Sequence, residues 1–183
     1  MGYEAALGKA WEDLAKFKAA KRLAIKFLAD EYSVDLEAKK VYSLASNAGA
    51  KDLISILILH YLARKIKGLP GITGTWLTFR ELSGVEGYAD AYRKRCLEPI
   101  IGKYGQSPGR IKAVLSRLPA RLSAGGDFSI VIQAFEGVPA MVKLWKADEE
   151  FGPDANMYFD SSITGIFPTE DIVVLAGIVG SSL

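Results

Sequence analysis

The chain has 183 residues, of which 50% are hydrophobic and 24% charged, a composition typical of one compact domain with its own core. This composition excludes a disordered or collagen-like chain, and the single cysteine, Cys96, excludes a disulfide scaffold. With 23 Lys and Arg against 21 Asp and Glu, the formal net charge of +2 gives no support for binding nucleic acid through bulk charge.

Residues 4–30 carry apolar side chains, such as Trp11 and Leu14, at three- and four-residue spacing. This pattern predicts one long amphipathic helix. We expect its outer face to be solvated, with a membrane surface or an acidic partner as alternatives. That face would carry three cations, Lys18, Arg22 and Lys26.

Two elements are predicted in the next part of the chain. Residues 32–36 and 41–44 alternate apolar and polar side chains, which predicts a short hairpin. Residues 47–67 predict a second helix, because basic side chains precede Gly68 as they do at a helix C-terminus.

Glycine and proline then divide the chain into short elements. Residues 76–79 predict a strand, and residues 88–104 predict a helix. Pro99 is expected either to kink this helix or to begin a new helical turn. Ser107 and Pro108 are typical of the start of a further short helix. The glycines of this region match no phosphate-binding motif.

The C-terminal part predicts a β-hairpin followed by a helix. Residues 128–135 and 138–145 predict two antiparallel strands, and Pro139 favours an edge position for the second strand or a place among its first residues. Residues 157–159 predict a third strand, and Thr169 is the predicted cap of a last apolar helix. The fold class is therefore a single α+β domain over residues 1–183, with an antiparallel sheet and hairpins packed against several helices.

The N-terminal residues and the two most apolar segments bear on location. Residues 1–4 lack the basic stretch and apolar core of a secretory signal, so we expect a cytoplasmic protein. Residues 53–62 and 172–179 are shorter than the ~18–20 residues of a membrane-spanning helix. We therefore expect no membrane span and place both segments in the core.

Charge is segregated along the chain. Residues 88–126 hold eight basic and two acidic side chains, whereas residues 127–183 hold two basic and nine acidic ones. One interpretation is that the basic and acidic parts face each other or are solvated on separate surfaces. The other is that the basic helices form a site for a small anion. Nucleic acid is not an expected partner, because no RNP, KH or helix-turn-helix signature is present.

An acidic cluster follows the predicted hairpin. We expect a partly buried acid of this cluster to pair with Arg80, Arg93 or Arg95, since a buried carboxylate needs a compensating partner. A Mg²⁺ or Ca²⁺ site is the alternative, although the spacing does not fit an EF-hand. The cluster consists of Asp148, Glu149, Glu150, Asp154 and Asp160.

His60 and Cys96 are the remaining residues with reactive side chains. His60, the single histidine, lies in an apolar segment, and we expect a hydrogen-bonded core imidazole, with a ligand-binding or general-base role as the alternative. Cys96 is expected to be a half-buried thiol and not a nucleophile, and no Gly-x-Ser-x-Gly motif indicates a catalytic triad.

Several strings occur in the order of a known family: HYL at 60–62, GTWLTFRELSG at 74–84, LWKADEEF at 144–151, FDSSI at 159–163 and TED at 169–171. With these strings the chain resembles, over about residues 32–176, an uncharacterised family catalogued as domain of unknown function 3786. The resemblance divides the domain into an N-terminal amphipathic helix, residues 1–31, and a family-like core, residues 32–176. It also implies an origin in anaerobic bacteria or archaea, near redox or cofactor metabolism.

Some relatives look as if they carry a cysteine-rich, iron–sulfur-type segment, which Cys96 alone cannot provide here, so no cofactor is assigned. The positions that match the family pattern are the predicted site, either as a ligand pocket or as a buried arginine–carboxylate network. They are His60, Trp76, Arg80, Glu81, Arg95, Trp145, Asp148, Glu150, Phe151 and Asp160.

Three functions remain open at this point. The first is a binding or accessory domain for a small anionic ligand or cofactor in anaerobic metabolism. The second is a protein-interaction module, in which the first helix or the C-terminal helix binds a protein partner or forms a homodimer. The third is an acid–base enzyme that uses His60 with Asp148, Glu150 and Asp160, with or without a divalent metal ion.

Overall fold

The first sheet is a four-stranded antiparallel meander in chain order. The computed structural model describes residues 3–17 and 20–183. The strands of this sheet are β1 (Arg22–Phe27), β2 (Asp30–Asp35), β3 (Lys40–Ser43) and β4 (Ala48–Gly49). The predicted hairpin of residues 32–36 and 41–44 is confirmed as the β2–β3 pair.

The long N-terminal helix predicted for residues 4–30, and for 1–31 as a domain segment, is wrong. The first helix, α1, covers only Glu4–Ala15, and the chain then enters β1. The helical prediction rested on Ile25 and Leu28, which are three residues apart, whereas in β1 the side chains of Ile25 and Phe27 are buried at the period of two that a strand shows.

The three cations expected on one helical face are consequently separated. Arg22 and Lys26 lie on β1, where the Arg22 Nε is 3.0 Å from Asp35 on β2. Lys18 lies outside the described residues. The basic face of a first helix is therefore not formed as predicted.

The second sheet has five antiparallel strands in the order β5-β9-β8-β7-β6. These are β5 (Trp76–Thr78), β6 (Ala120–Ser123), β7 (Phe128–Phe135), β8 (Val138–Trp145) and β9 (Asp154–Asp160). The predicted strand of residues 76–79, the hairpin of 128–135 with 138–145, and the third strand at 157–159 are all confirmed.

Pro139 does not place β8 at a sheet edge, because β8 lies between β7 and β9. Pro139 is instead the second residue of β8, the other position that the sequence allowed. It faces Gln133 next to a register shift between Gln133 and Phe135, where the interrupted ladder tolerates a residue without an N–H.

The helices of the domain are packed around both sheets. The second helix, α2, is Asp52–Lys67, and it ends at Gly68 as predicted, with φ at 104°. Its predicted start at residue 47 is wrong, because residues 48 and 49 form β4. The last helix, α5, is Thr169–Ser182. Its cap position is Pro168, and the Thr169 hydroxyl donates to the carbonyl of Ser83 instead of capping the helix.

The segment of residues 88–104 is helical as predicted, but its irregularity is a π-helical turn. It comprises α3 (Ala89–Tyr92), the π-helix Arg93–Leu97 and α4 (Glu98–Tyr104). The helix predicted from Ser107 is a 3-10 helix, Pro108–Ser116. Pro99 lies in the first turn of α4, directly after the π-helix, and has no N–H to donate to that preceding turn.

Aromatic rings connect the two sheets. Phe135 of β7 stacks against Phe27 of β1 and against Tyr61 of α2, each with ring centroids 4.4 Å apart. The Leu28 N–H also donates to the Ala134 carbonyl at 2.8 Å. No helix within the described ranges is long and apolar enough to cross a membrane.

Candidate functional site

The best-defined pair of reactive side chains joins α2 to α5. His60 lies in the middle of α2, and Asp171 lies in the first turn of α5. The Nδ1 atom of His60 is 2.5 Å from the Asp171 Oδ2 atom. The Asp171 side chain is nearly buried, whereas 30% of the His60 side chain is exposed. The imidazole therefore connects a buried carboxylate to the surface.

The hydrogen bond to Asp171 favours the protonated form of His60. This bond raises the pKa of His60 above its ordinary value, and partial burial of the ring opposes the shift without cancelling it. A protonated imidazole has two N–H donors. Since the Nδ1–H group donates to Asp171, the Nε2–H group of the protonated ring is the donor left for another molecule.

His60 lines an open groove of about 820 Å³ between α1, α2 and α5, which we call the His60 groove. Arg64, one turn beyond His60 on α2, also lines it. The Nε atom of Arg64 is buried and has no hydrogen-bond partner among the described residues. Three lysines complete the positive side of the groove, Lys9, Lys16 and Lys67.

The acidic residues of the groove are mostly paired. Asp171 is held by His60, and Asp13 lies 2.5 Å from the Lys16 ammonium group. Glu170 is the third acid of the lining. In the part of the chain that the structure describes, no three His, Cys, Asp or Glu side chains come together as a metal-binding set.

Asp160, one of the predicted site residues, has a structural environment. Its side chain is 1% exposed and accepts hydrogen bonds from the backbone of Thr73, Gly74 and Ser162 at 2.7–3.0 Å. Burial alone would raise its pKa, but these donors outweigh burial and lower the pKa to about 2. Asp160 thus fastens the segment before β5 to the end of β9.

Trp76 and Glu81 lie near Asp160 in the fold and serve local structure. Trp76 is on the edge strand β5, in register with Asp160. The Glu81 carboxylate accepts from the backbone N–H and the hydroxyl of Thr78, both at 2.7 Å, which forms a capping box. These hydrogen bonds lower the pKa of Glu81. The Thr-x-x-Glu spacing in the sequence is the signature of this motif.

Three predicted residues lie in the turn after β8. The Asp148 carboxylate accepts from the backbone N–H groups of Glu150 and Phe151, at 2.9 and 2.7 Å, so it organises a turn. The side chains of Glu150 and Phe151 are exposed. Together with Trp145, the Asp148 and Phe151 side chains border an open surface depression.

The expected pairing of acids with arginines is confirmed at one position. Arg93 bridges Asp154 at 2.9 Å. Arg80 and Arg95 form no ion pair with the acidic cluster within the described residues, and they line two different cavities. The predicted site residues thus occupy separate places in the fold and do not form one network.

The basic segment of residues 88–126 does not converge on one anion site either. Lys103 and Arg117 donate to the backbone oxygen of Leu183, at 2.5 and 2.8 Å. Lys112 lies over the Phe128 ring, 5.4 Å from its centroid. Cys96 is buried, and burial raises the pKa of its thiol to about 11, which does not suit a nucleophile at neutral pH.

Sequence reasoning missed Asp171, Arg64 and Lys9 as members of the site. In the sequence, Asp171 stood only within the TED string of the family pattern, and Arg64 only among the basic side chains that precede Gly68. The TED string could have pointed to Asp171 as a site residue, because that string belongs to the same family pattern as His60.

In a comparison with protein-family models, the model of the Domain of unknown function (DUF3786) matches residues 10–181. The chain belongs to the DUF3786 family. The resemblance seen in the sequence is therefore confirmed, and the match extends beyond the predicted core to β1 and to residues 10–15 of α1. No curated protein and no solved structure matches this DUF3786 chain.

Proposed function

We propose that this DUF3786 protein is a binding domain for a small anionic ligand, which it holds in the His60 groove. The observation that carries the proposal is the His60–Asp171 pair within a groove lined by four Lys and Arg residues. Asp171 orients the ring and favours its protonated form, in which Nε2–H is a positively charged donor that faces an anion.

The charge balance of the groove supports an anion. Lys9, Arg64 and Lys67 form no ion pair within the described residues, whereas two of the three acids are paired with His60 and Lys16. The unpaired groups therefore leave an excess of positive charge. Such a site favours phosphate or carboxylate groups over neutral molecules.

The unpartnered guanidinium N–H of Arg64 also supports a bound oxyanion. Its Nε–H donor is buried without a partner among the described residues, and buried donors in folded proteins are nearly always hydrogen-bonded. A bound oxyanion beside Arg64 would supply the missing acceptor. The guanidinium group also matches the planar geometry of phosphate and carboxylate oxygens.

The single histidine makes the proposal directly testable. Inorganic phosphate, pyrophosphate and succinate are titrated separately against the protein, and the imidazole Hε1 signal is followed by proton NMR. We expect a saturable shift with at least one of them and a higher His60 pKa in the complex, because an anion favours the protonated ring. Binding should weaken as the pH rises through the His60 pKa.

Two matched variants test the groove. Arg64→Gln should weaken binding about tenfold or more, as expected for a hydrogen bond to a charged group. Arg110→Gln removes the same charge from an exposed position outside the groove and should leave binding nearly unchanged. The absence of a saturable His60 shift with all three anions would overturn the proposal, as would equal weakening by both variants.

The His60–Asp171 pair also supports acid–base chemistry on the bound ligand, with Nε2 as the group that gives or takes a proton. The carboxylates first expected in that role, Asp148, Glu150 and Asp160, do not line the His60 groove. Hydrolysis of 4-nitrophenyl phosphate that His60→Asn abolishes would favour this second function. Turnover that survives His60→Asn would exclude it.

The two helical faces expected to contact a protein partner or a second copy differ from the prediction. Arg22 and Lys26 belong to β1 and not to a helix. In α5 the apolar residues Ile172, Leu175 and Val179 are buried. Cytoplasmic residence and a place in anaerobic metabolism stay predictions of the sequence.

A further inference from the structure

A second cavity lies beside the π-helix. Of the residues that line it, Glu170 alone also lines the His60 groove. The volume of this second cavity is about 230 Å³, and we call it the Tyr92 cavity. Its walls come from the loop after β5, from α3 with the π-helix, and from the first turns of α5. The lining is chiefly apolar and includes Phe79, Val85, Tyr88, Tyr92 and Val173.

Tyr92, which lines this cavity and also the one beside Arg80, carries an unused hydrogen-bond donor. The residue is 4% exposed, and its ring stacks on Phe79 with centroids 4.0 Å apart and planes 4° apart. Its hydroxyl is buried and has no partner among the described residues. Burial raises the pKa of Tyr92, so the group is a neutral donor that an acceptor would satisfy.

The π-helix separates the roles of two nearby arginines. Arg93 is held by Asp154 at 2.9 Å, whereas Arg95 lines the Tyr92 cavity. π-Helical turns are rare and frequently occur at functional sites. On the opposite side of the cavity, the Thr169 hydroxyl donates to the Ser83 carbonyl at 2.8 Å and fastens the loop to α5.

The charges of the lining define the ligand. Arg95 is its cation and Glu170 its acid, and the structure records no ion pair between them. Arg95 suits a carboxylate, whereas Glu170 would repel a simple carboxylate and attract an ammonium group. The volume lies below the roughly 300–1,000 Å³ of sites for drug-sized ligands, so the ligand is small.

We propose that the Tyr92 cavity binds a small apolar α-amino acid as a zwitterion. The apolar side chain lies among Phe79, Val85 and Val173, the carboxylate pairs with Arg95, and the ammonium group pairs with Glu170. The Tyr92 hydroxyl donates to an oxygen of the ligand. This site is independent of the anion site proposed in the His60 groove, although Glu170 lines both.

Three probes of similar size test the zwitterion. L-Leucine, 4-methylpentanoate and 3-methylbutylamine are compared by isothermal titration calorimetry, since the second lacks the ammonium group and the third lacks the carboxylate. We expect L-leucine to bind and the other two to bind at least about tenfold more weakly. No binding of L-leucine, or equal binding of L-leucine and 4-methylpentanoate, would overturn the proposal.

Variants localise the binding. Arg95→Gln should weaken L-leucine binding about tenfold or more, whereas Lys94→Gln, at an exposed neighbouring position outside the lining, should not. Tyr92→Phe keeps the stacked ring and should weaken binding while thermal stability is kept or increased. Unchanged binding in Arg95→Gln or Tyr92→Phe would refute the site. His60→Asn should leave L-leucine binding intact, which separates this proposal from the anion site.

Discussion

The imidazole Nδ1 of His60 lies 2.5 Å from the Asp171 carboxylate and connects the middle of α2 to the first turn of α5. The two residues are 111 positions apart in the chain. The contact has two consequences. It fixes the ring toward the His60 groove, and it makes the stability of the domain depend on pH.

We expect His60→Asn to reduce stability at acid pH and to have less effect at alkaline pH. The folded-state pKa of His60 is raised above the unfolded value of about 6.5, because Asp171 accepts a hydrogen bond from the ring. The stabilisation is therefore complete below that unfolded pKa, and it is lost as the pH rises through the folded pKa. Urea unfolding of both proteins at about pH 5.5 and about pH 9 measures the difference.

Asp171→Asn provides the control for this experiment, because it removes the charge that holds the His60 proton. Its unfolding free energy should lose the same pH dependence as that of His60→Asn. If the stability difference between wild type and His60→Asn is equal at both pH values, the proton on His60 is not coupled to folding.

We expect Asp160→Asn to destabilise the protein by about 1–3 kcal/mol at neutral pH, since an amide oxygen cannot replace a carboxylate that accepts three backbone N–H bonds. The folded pKa of Asp160 is lowered to about 2, so its stabilisation is present above the unfolded value of about 3.9. The stabilisation is lost as the pH falls through the folded pKa. Urea denaturation at pH values between neutral and acid measures this loss.

Asp154→Asn is the matched comparison for Asp160→Asn. Asp154 also accepts a hydrogen bond, from Arg93, but its side chain is half exposed. Exposed pairs of this kind contribute ~0–1 kcal/mol. A loss of stability in Asp154→Asn as large as that in Asp160→Asn would show that burial of the Asp160 hydrogen bonds is not the decisive factor.

We expect Phe135→Ala to cost about 3–5 kcal/mol, because Phe135 is fully buried between Phe27 and Tyr61 and links the two sheets. Phe151→Ala removes the same ring from a position that is 69% exposed and should change stability by less than ~0.5 kcal/mol. Chemical denaturation of both variants measures the two costs. Similar costs would argue against Phe135 as the link between the sheets.

The sequence predicted the long apolar strands β7 and β8 correctly, because their length and flanking turns leave one interpretation. It failed at β1, where Ile25 and Leu28 have the spacing of a helix and Ile25 and Phe27 have that of a strand, and pairing with β2 decides between them. Local sequence patterns cannot distinguish a helix from a strand here, because the outcome depends on tertiary contacts.

The candidate site was less predictable than the fold for a similar reason. Asp160 and His60 were both singled out from the sequence, but Thr73, a partner of Asp160, lies 87 positions away in the chain, and Asp171, the partner of His60, lies 111 positions away. Only those partners show that Asp160 holds a loop and that His60 opens onto a groove. By contrast, the role of Glu81 was accessible, because its partner Thr78 is three residues away.

Helix α5 packs closely against the π-helix, and residues of both elements line the Tyr92 cavity. A Cβ atom at Gly180 would lie 2.9 Å from the Cys96 carbonyl oxygen, so backbone would have to move. Gly180→Ala should cost about 1–3 kcal/mol. Gly177→Ala, one turn earlier, would place its Cβ 4.0 Å from the Cys96 sulfur and should be neutral or stabilise the helix by up to ~1 kcal/mol. Thermal and urea unfolding of the pair test this close approach, and equal stability of the two variants would contradict it.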